Sequence, residues 1–434
     1  MGISVISFFK SYLPLRGSFG RNVLTLMSGT LLGQVLTIAA TPVITRLYTP
    51  SDLGIFEVYG SILAIIVVVA SLRYQIAIPL PQDDKYAADI VVLCLLIVIS
   101  MTIFTILLVW LFGQQTLHLI KAQYVGPYIW LLPLGVLGAG SYQVLNFWAI
   151  RKQNFSLIAW TKITQSFGRS LAQISLGLLG FGPAGLLIGD VVGQCSGSTR
   201  LALSAWRQDK ESLRRTNFAG INRGIRRYKR FPLLSGAAAL LNSTGVKLPS
   251  ILIAIFYGLK VAGWFALAQW VIVAPMTLLG TSLAQVYMAE SAKLAKQSPE
   301  GLPKLFWKTL KIQFIVAAPI ILVLALPAQM LFSIVFGEDW KPAGLYVQVL
   351  SIMLILRLVS NPLGSTVDIL ERQGLFLVRE LLRTILMCGA VLLAAKLGMD
   401  AIAAIFLLSV AGCIAYSFGI FLSWYAIMHY KGAK

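Results

Sequence analysis

A chain of 434 residues that is 58% hydrophobic and only 12% charged, with a mean hydropathy of +0.81, is no soluble globular domain; such a domain would carry about twice that charged fraction. The formal net charge of +20 suggests nucleic acid, but the basic residues sit mainly between apolar runs and form no face interleaved with aromatics. The charge therefore reads as membrane orientation and contact with anionic lipid, and nucleic acid is set aside.

Residues 1–20 are mildly basic and read as an interfacial segment on the cytoplasmic side, without the pattern of a cleavable leader. At roughly 20 apolar residues per bilayer crossing, twelve spans follow: 22–46, 53–80, 87–112, 124–150, 155–180, 183–206, 232–257, 261–291, 305–336, 343–370, 375–397 and 401–428. Between the sixth and the seventh lies Trp206 to Phe231, with nine Lys and Arg residues: Arg207, Lys210, Arg214, Arg215, Arg223, Arg226, Arg227, Lys229 and Arg230. This stretch is too polar to cross a bilayer, and positive charge beside short connections stays in the cytoplasm. The expected fold class is all-α: a polytopic membrane protein of twelve transmembrane helices in two six-helix lobes. Its divisions are an N-terminal lobe over 1–206, a basic cytoplasmic hinge loop over 207–231 and a C-terminal lobe over 232–434.

The connections support this orientation. Lys85, Arg151, Lys152, the nine hinge charges, Lys293, Lys296, Lys304, Lys308, Arg372, Lys431 and Lys434 fall on one side. Only Arg46, Lys121, Lys260, Lys341 and Lys396 fall on the other. Both termini are thus expected in the cytoplasm. The halves also resemble each other. Ser28-Gly29 and Pro42 recur as Ser235-Gly236 and Pro249, and Gly54-Ile55-Phe56 recurs as Gly263-Trp264-Phe265. A repeat six spans apart keeps its orientation, an arrangement of transporters with the substrate path between two bundles.

No soluble-enzyme motif is visible, and no phosphate-binding loop. His118 and His429 join no catalytic or metal set. Cys94, Cys195, Cys388 and Cys413 all lie in apolar runs, at spacings that form no disulfide framework and no metal site. The informative residues are charges inside spans, each costing at least ~2.5 kcal/mol at the helix centre unless a cavity, a partner or a route to the interface relieves it. Arg169 and Arg357 lie about halfway down the fifth and tenth spans, and Lys247 in the outer half of the seventh. Arg73 and Asp368 lie near inner ends, Asp190 and Glu57 near outer ends. Arg73 and Asp368 are placed either to snorkel or to face a cavity. Asp190 is placed either to pair with Arg169 as structural glue or to carry coupling. The polar Gln34, Gln143, Asn146, Gln165, Gln173, Asn242, Gln269 and Gln285 read as interhelical hydrogen-bond partners, some of them lining a polar cavity. The mid-depth charge is mostly positive, so the expectation is a central cationic cavity suited to a phosphate or an acidic sugar. Arg73, Lys247, Arg357 and Arg169 are its candidate substrate ligands. Asp190, Glu57 and Asp368 are the candidates for coupling to H+ or Na+. Pro42 and Pro249 interrupt their spans at related depths as paired kinks, read either as gating or as packing.

Six stretches carry a family resemblance: TPVITRLYTPSDLGIF from Thr41, LRYQIAIPLP from Leu72, FWAIRKQNF from Phe147, GLLIGDVVG from Gly185, YKRFP from Tyr228 and FGEDWKPAG from Phe336. In that order, along most of the chain, they resemble bacterial oligosaccharide flippases, the O-antigen and exopolysaccharide translocases of the multidrug/oligosaccharidyl-lipid/polysaccharide exporter superfamily. The resemblance implies two six-helix lobes around a central cavity in the bacterial cytoplasmic (inner) membrane. It implies as cargo an undecaprenyl-pyrophosphate-linked glycan bound for lipopolysaccharide, capsule or exopolysaccharide, with a polysaccharide polymerase and export machinery as partners and no cofactor. None of the stretches names the sugar. A drug/cation antiporter of the same superfamily and a membrane polysaccharide polymerase are the competing readings. The sign of the buried charge opposes the first, and the short outer connections oppose the second.

Overall fold

The computed structural model describes residues 18–119, 123–214, 216–370 and 372–430. Residues 1–17, Lys121, Arg215, Lys431 and Lys434 lie outside the described residues, as do the side chains of His118, Arg214, Gln285 and Lys296. The described residues are helical and contain no strand. In chain order the α-helices are α1 (Ser18–Leu47), α2 (Pro50–Val68), α3 (Asp84–Leu119), α4 (Leu132–Arg151), α5 (Phe155–Leu178), α6 (Pro183–Arg214), α7 (Phe218–Arg227), α8 (Ala237–Tyr257), α9 (Leu259–Gln297), α10 (Leu302–Ala325), α11 (Ala328–Phe336), α12 (Lys341–Leu363), α13 (Ser365–Ile369), α14 (Gln373–Lys396) and α15 (Ala401–Met428). Twelve of these have 19 residues or more, one for each expected span. Eight are long and apolar enough to cross a membrane by composition alone. Among the other four, α5 carries Lys162 and Arg169, α6 carries Asp190 and Arg200, and α14 carries Arg379, Glu380 and Arg383. The chain forms two compact units, one ending at Lys247 and the next beginning at Leu248, a division that falls inside α8.

Local chemistry explains the boundaries. Thr49-Pro50-Ser51-Asp52 starts α2 as a capping box: Asp52 N–H donates to Thr49 Oγ1 (3.2 Å) and Thr49 N–H donates to Asp52 Oδ2 (2.9 Å), with proline in the first turn. The second expected span, 53–80, is shorter than its apolar run suggests. Helix α2 stops at Val68, and a turn leads through Leu72 (φ 49°) and Arg73 (φ 64°) into a 3-10 segment, Tyr74–Ala77. Pro79 and Pro81 prevent a restart there, since proline has no N–H to give and disfavours helix in the residue before it. The ninth expected span, 305–336, is two helices, α10 and α11, parted at Pro327. The tenth is α12 followed by the short α13, parted at Gly364. Pro42 and Pro249 lie inside α1 and α8, which run through them without a break in assignment.

The basic stretch 207–231 is partly helical. Helix α6 continues to Arg214, and after a short gap the chain forms α7. Asn217 caps α7, its Oδ1 accepting from Gly220 N–H at 2.7 Å. The stretch has the charge of a loop, but it also has a cap and helix-compatible spacing.

The end of α4 is held by one arginine. Arg151, its side chain 9% exposed, donates to the carbonyls of Ile78, Pro81 and Gln82, and through both Nε and Nη2 to Asp84 Oδ1. Lys152 joins Asp84 (2.7 Å) to Asp209 (2.9 Å), and Trp148 Nε1 donates to Asp209 Oδ2 (3.0 Å). Asp209 sits at a kink in α6 (φ −123°). Lysine cannot span three carbonyls in a fixed fork as arginine does. Arg151→Lys should therefore destabilise the 78–84 segment by about 2 kcal/mol, seen as faster proteolysis there; cleavage at the parental rate would show that the fork is dispensable.

Candidate functional site

A glycine ladder positions the charges of the first unit. Gly185, Gly189, Gly193 and Gly197 recur every four residues on α6 and form one stripe. A Cβ on Gly189 would overlap Gln173 Cγ and stand 3.0 Å from the Gln173 backbone nitrogen. One on Gly193 would stand 2.8 Å from Arg169 Cβ, and one on Gly197 would overlap the Gln165 amide. The ladder thus seats Gln165, Arg169 and Gln173, themselves four apart on α5. On the other flank of α5, a Cβ on Gly29 of α1 would stand 2.5 Å from Ala159 Cα. Small residues at four-residue spacing bring membrane helices close and let polar groups meet across the interface.

Close approach makes the ion pair. Arg169 Nη2 lies 2.8 Å from Asp190 Oδ1, and Gln194 Nε2 donates to Asp190 Oδ2 at 2.9 Å. Both carboxylate oxygens are satisfied, which removes most of the cost of burying Asp190. Beside the pair is a cavity of about 510 Å³ within this unit. Its polar lining is Gln143, Asn146, Lys162, Gln165, Arg169, Asp190 and Gln194. Asn146 Oδ1 is buried and accepts no hydrogen bond among the described residues.

The charge balance of the cavity rests on a residue that the sequence reading passed over. Two cations, Lys162 and Arg169, face one carboxylate, Asp190. Arg169 is neutralised by Asp190, whereas Lys162 pairs with no carboxylate among the described residues. Its ammonium lies 4.9 Å from the centre of the Tyr142 ring. That ring is held by a hydrogen bond between the Tyr142 hydroxyl and Thr161 Oγ1 (3.1 Å). A cation–π contact stabilises the charge without cancelling it. The cavity is therefore net positive through Lys162.

The other predicted residues separate into groups. Glu57, 5% exposed, accepts from Ser61 (3.3 Å) and lies 3.5 Å from Lys247 Nζ. Glu57 and Lys247 thus form a second pair in the same unit, with Glu57 between the cavity residues Phe56 and Gly60 on α2. Arg73 does not line this cavity. It stands in the left-handed turn after α2, its Nε buried without a hydrogen bond. Gln75 connects the turn to the lining residue Gln143 at 3.5 Å. Arg357 and Asp368 belong to the second unit. Arg357 Nη1 donates to Gln269 Oε1 at 3.5 Å, and Asp368 is exposed on α13.

A charged group in α14 escaped the sequence reading altogether. Glu380, 2% exposed, lies 3.1 Å from Arg379 Nε and 2.6 Å from Arg383 Nη2. A Cβ on Gly364 would overlap Arg379 Nη1 and one on Gly419 would lie 3.3 Å from Arg379 Cδ, so both glycines make room for this arginine. The spacing Arg379-Glu380-x-x-Arg383 was the available signal, since positions three and four apart share a helix face. The second unit also has a cavity of about 590 Å³, lined in part by Trp264, Gln329, Glu338, Lys341 and Asp400. Two carboxylates and one cation give it the opposite sign to the first.

Comparison with known proteins agrees with this architecture. Residues 43–345 match the family described as polysaccharide biosynthesis protein. The match covers well over half of the chain, and the chain belongs to that family. The lipopolysaccharide biosynthesis protein WzxC of Escherichia coli K12 is 28% identical over 168 residues, 39% of this chain and 34% of WzxC. The teichuronic acid biosynthesis protein TuaB of Bacillus subtilis 168 is 28% identical over 143 residues, 33% of this chain and 29% of TuaB. These alignments span about a third of either relative. An inward-facing multidrug resistance MATE family transporter of the MOP superfamily is similar in structure over 97% of this chain and 98% of its own, with a TM-score of 0.71 at 14% identity. The chain is a multi-pass membrane protein with the fold of that superfamily.

Proposed function

We propose that this chain is a transporter, not an enzyme, which moves undecaprenyl-pyrophosphate-linked oligosaccharide repeat units from the cytoplasmic to the outer leaflet of the bacterial inner membrane by alternating access. Its product would feed O-antigen, capsule or exopolysaccharide synthesis, with a polysaccharide polymerase downstream and both termini in the cytoplasm. The observation that carries the reading is the uncompensated Lys162 in an amide-lined cavity of the first unit. An ammonium with no carboxylate partner inside a membrane protein is costly unless an anion or water meets it. A pyrophosphate supplies that anion, and Gln143, Asn146, Gln165 and Gln194 suit the hydroxyls of the attached sugar. The polyprenyl tail would stay in lipid.

The pairing also bears on coupling to H+ or Na+. Asp190 and Glu57 each hold a cation, so protonating either one frees Arg169 or Lys247 for the cargo. Asp368 holds no cation within ion-pair distance among the described residues and ranks below them. A drug/cation antiporter needs a carboxylate free for its cargo, and the one carboxylate in the first unit's cavity is already satisfied twice.

The test uses cells lacking their own flippase. Surface glycan should return with the intact chain, while efflux of an organic cation such as ethidium stays at background. Ethidium efflux without restored glycan would replace this reading with the antiporter.

A further inference from the structure

Helix α7 has three faces with different chemistry. The first docks on α3. Gly220 and Gly224, one turn apart, face Asp89, Ile90 and Leu93, and a Cβ on Gly220 would overlap Asp89 Oδ2. Asn217 N–H donates to Asp89 Oδ1 (3.2 Å), Tyr228 stacks on Tyr86 at 6.4 Å, and Tyr74 Oη donates to the Ile225 carbonyl (3.4 Å). The helix is thus fixed to the unit along one side.

The second face is apolar and open. Phe218 is 88% exposed and Ile225 is 41% exposed; seven residues apart, they share one side. The third face carries Arg223, Arg226 and Arg227, all exposed and followed by exposed Lys229 and Arg230. Among the described residues none of these five pairs with a carboxylate. The flanks are aromatic or apolar and open too: Trp206, with Lys210 Nζ 5.7 Å from its ring centre, and Leu233.

From this juxtaposition we infer that α7 is a lipid-binding helix that lies in the headgroup layer and holds anionic phospholipid. Charge complementarity selects the occupant. Five cations without a carboxylate partner among the described residues, two of them stacked on Tyr86 and Tyr228, lie beside an exposed phenylalanine and match a negatively charged surface with hydrocarbon just beneath it, the environment of an interfacial amphipathic helix. A free phosphate would use the arginines but leave Phe218 and Ile225 in water. The inference goes beyond the transport reading and does not depend on it, because lipid retention requires no cargo.

Native mass spectrometry of the full chain tests this, with phosphatidylglycerol and phosphatidylethanolamine of matched acyl chains as probes. The parent should retain phosphatidylglycerol preferentially, and less of it as salt screens the charges. At about fivefold per basic side chain near a lipid surface, Arg223→Gln/Arg226→Gln/Arg227→Gln should weaken that retention on the order of 100-fold. The three side chains are exposed, and Arg223 and Arg227 lie over the docking rings of Tyr86 (5.9 Å) and Tyr228 (5.6 Å); exposed cation–π contacts contribute about 0.5–1 kcal/mol each, so the melting temperature should fall by only about a few degrees. Phe218→Ser should weaken retention of both lipids about tenfold. Equal retention of the two lipids by the parent, unchanged retention by the triple variant, or displacement of the lipid by millimolar inorganic phosphate would each overturn the assignment.

Discussion

Replacing Lys162 with glutamine is expected to lower export of a lipid-linked glycan by 10- to 100-fold while leaving the protein in the membrane. Lys162 is the cation of the first unit's cavity that no carboxylate offsets among the described residues. A charge-assisted hydrogen bond contributes about 1.5–3 kcal/mol, which sets that range. Glutamine keeps a donor on a side chain one bond shorter, so the Tyr142 contact loses its charge and little of its packing. Arg169→Gln should behave differently. It leaves Asp190 with only Gln194, so part of its effect is on stability, and Arg169→Gln/Asp190→Asn should recover the folded protein but not full transport. Parental export by Lys162→Gln would mean that the cavity charge is structural.

Gly189→Val should shorten the half-life of the folded protein in detergent by about 100-fold. A Cβ there meets the backbone of Gln173 at 3.0 Å and of Arg169 at 3.2 Å, as well as the Gln173 side chain. Backbone on α5 cannot give way, so α5 and α6 must separate. Overpacking of this kind costs about 3 kcal/mol, and if most of it falls on the unfolding rate the lifetime follows. A rate is the right readout, because large membrane proteins unfold irreversibly. Gly389→Ala on α14 is the control. Nothing lies within 4 Å of its added methyl, and a helix gains about 0.5–1 kcal/mol from alanine over glycine. Equal lifetimes for the two variants would remove the ladder as the seat of the ion pair.

The places where sequence and structure part have physical causes. Twelve long helices follow from twelve apolar runs because a bilayer fixes the length of a crossing. Breaks within runs are harder to read. The stop at Val68 depends on two left-handed residues, Leu72 and Arg73, that no glycine announces. The basic stretch after Trp206 reads as a loop on charge alone, and its helix becomes visible through Asn217 as a cap and Gly220 and Gly224 as a docking edge. The site was legible where a charge stood alone at mid-depth, as Arg169 did with Asp190 as a nearby partner. Lys162 lies only seven residues into α5, where a lysine ordinarily snorkels, and its role depends on the cavity beside it. Arg379, Glu380 and Arg383 were hidden by an otherwise apolar run. The stretch from Gly185 to Gly193 carried a family resemblance, but its four-residue period is what brings Arg169 to Asp190.

The measurement that bears most directly on the account is transfer by the purified chain in liposomes. A pyrophosphate-linked oligosaccharide on a polyprenyl carrier is supplied in the outer leaflet, and its sugar is probed with a glycosidase that cannot enter. The parent protein should render the sugar resistant within minutes, and Lys162→Gln should do so about 10- to 100-fold more slowly. Resistance developing equally fast with both proteins, or with neither, would contradict the proposed role of the cavity.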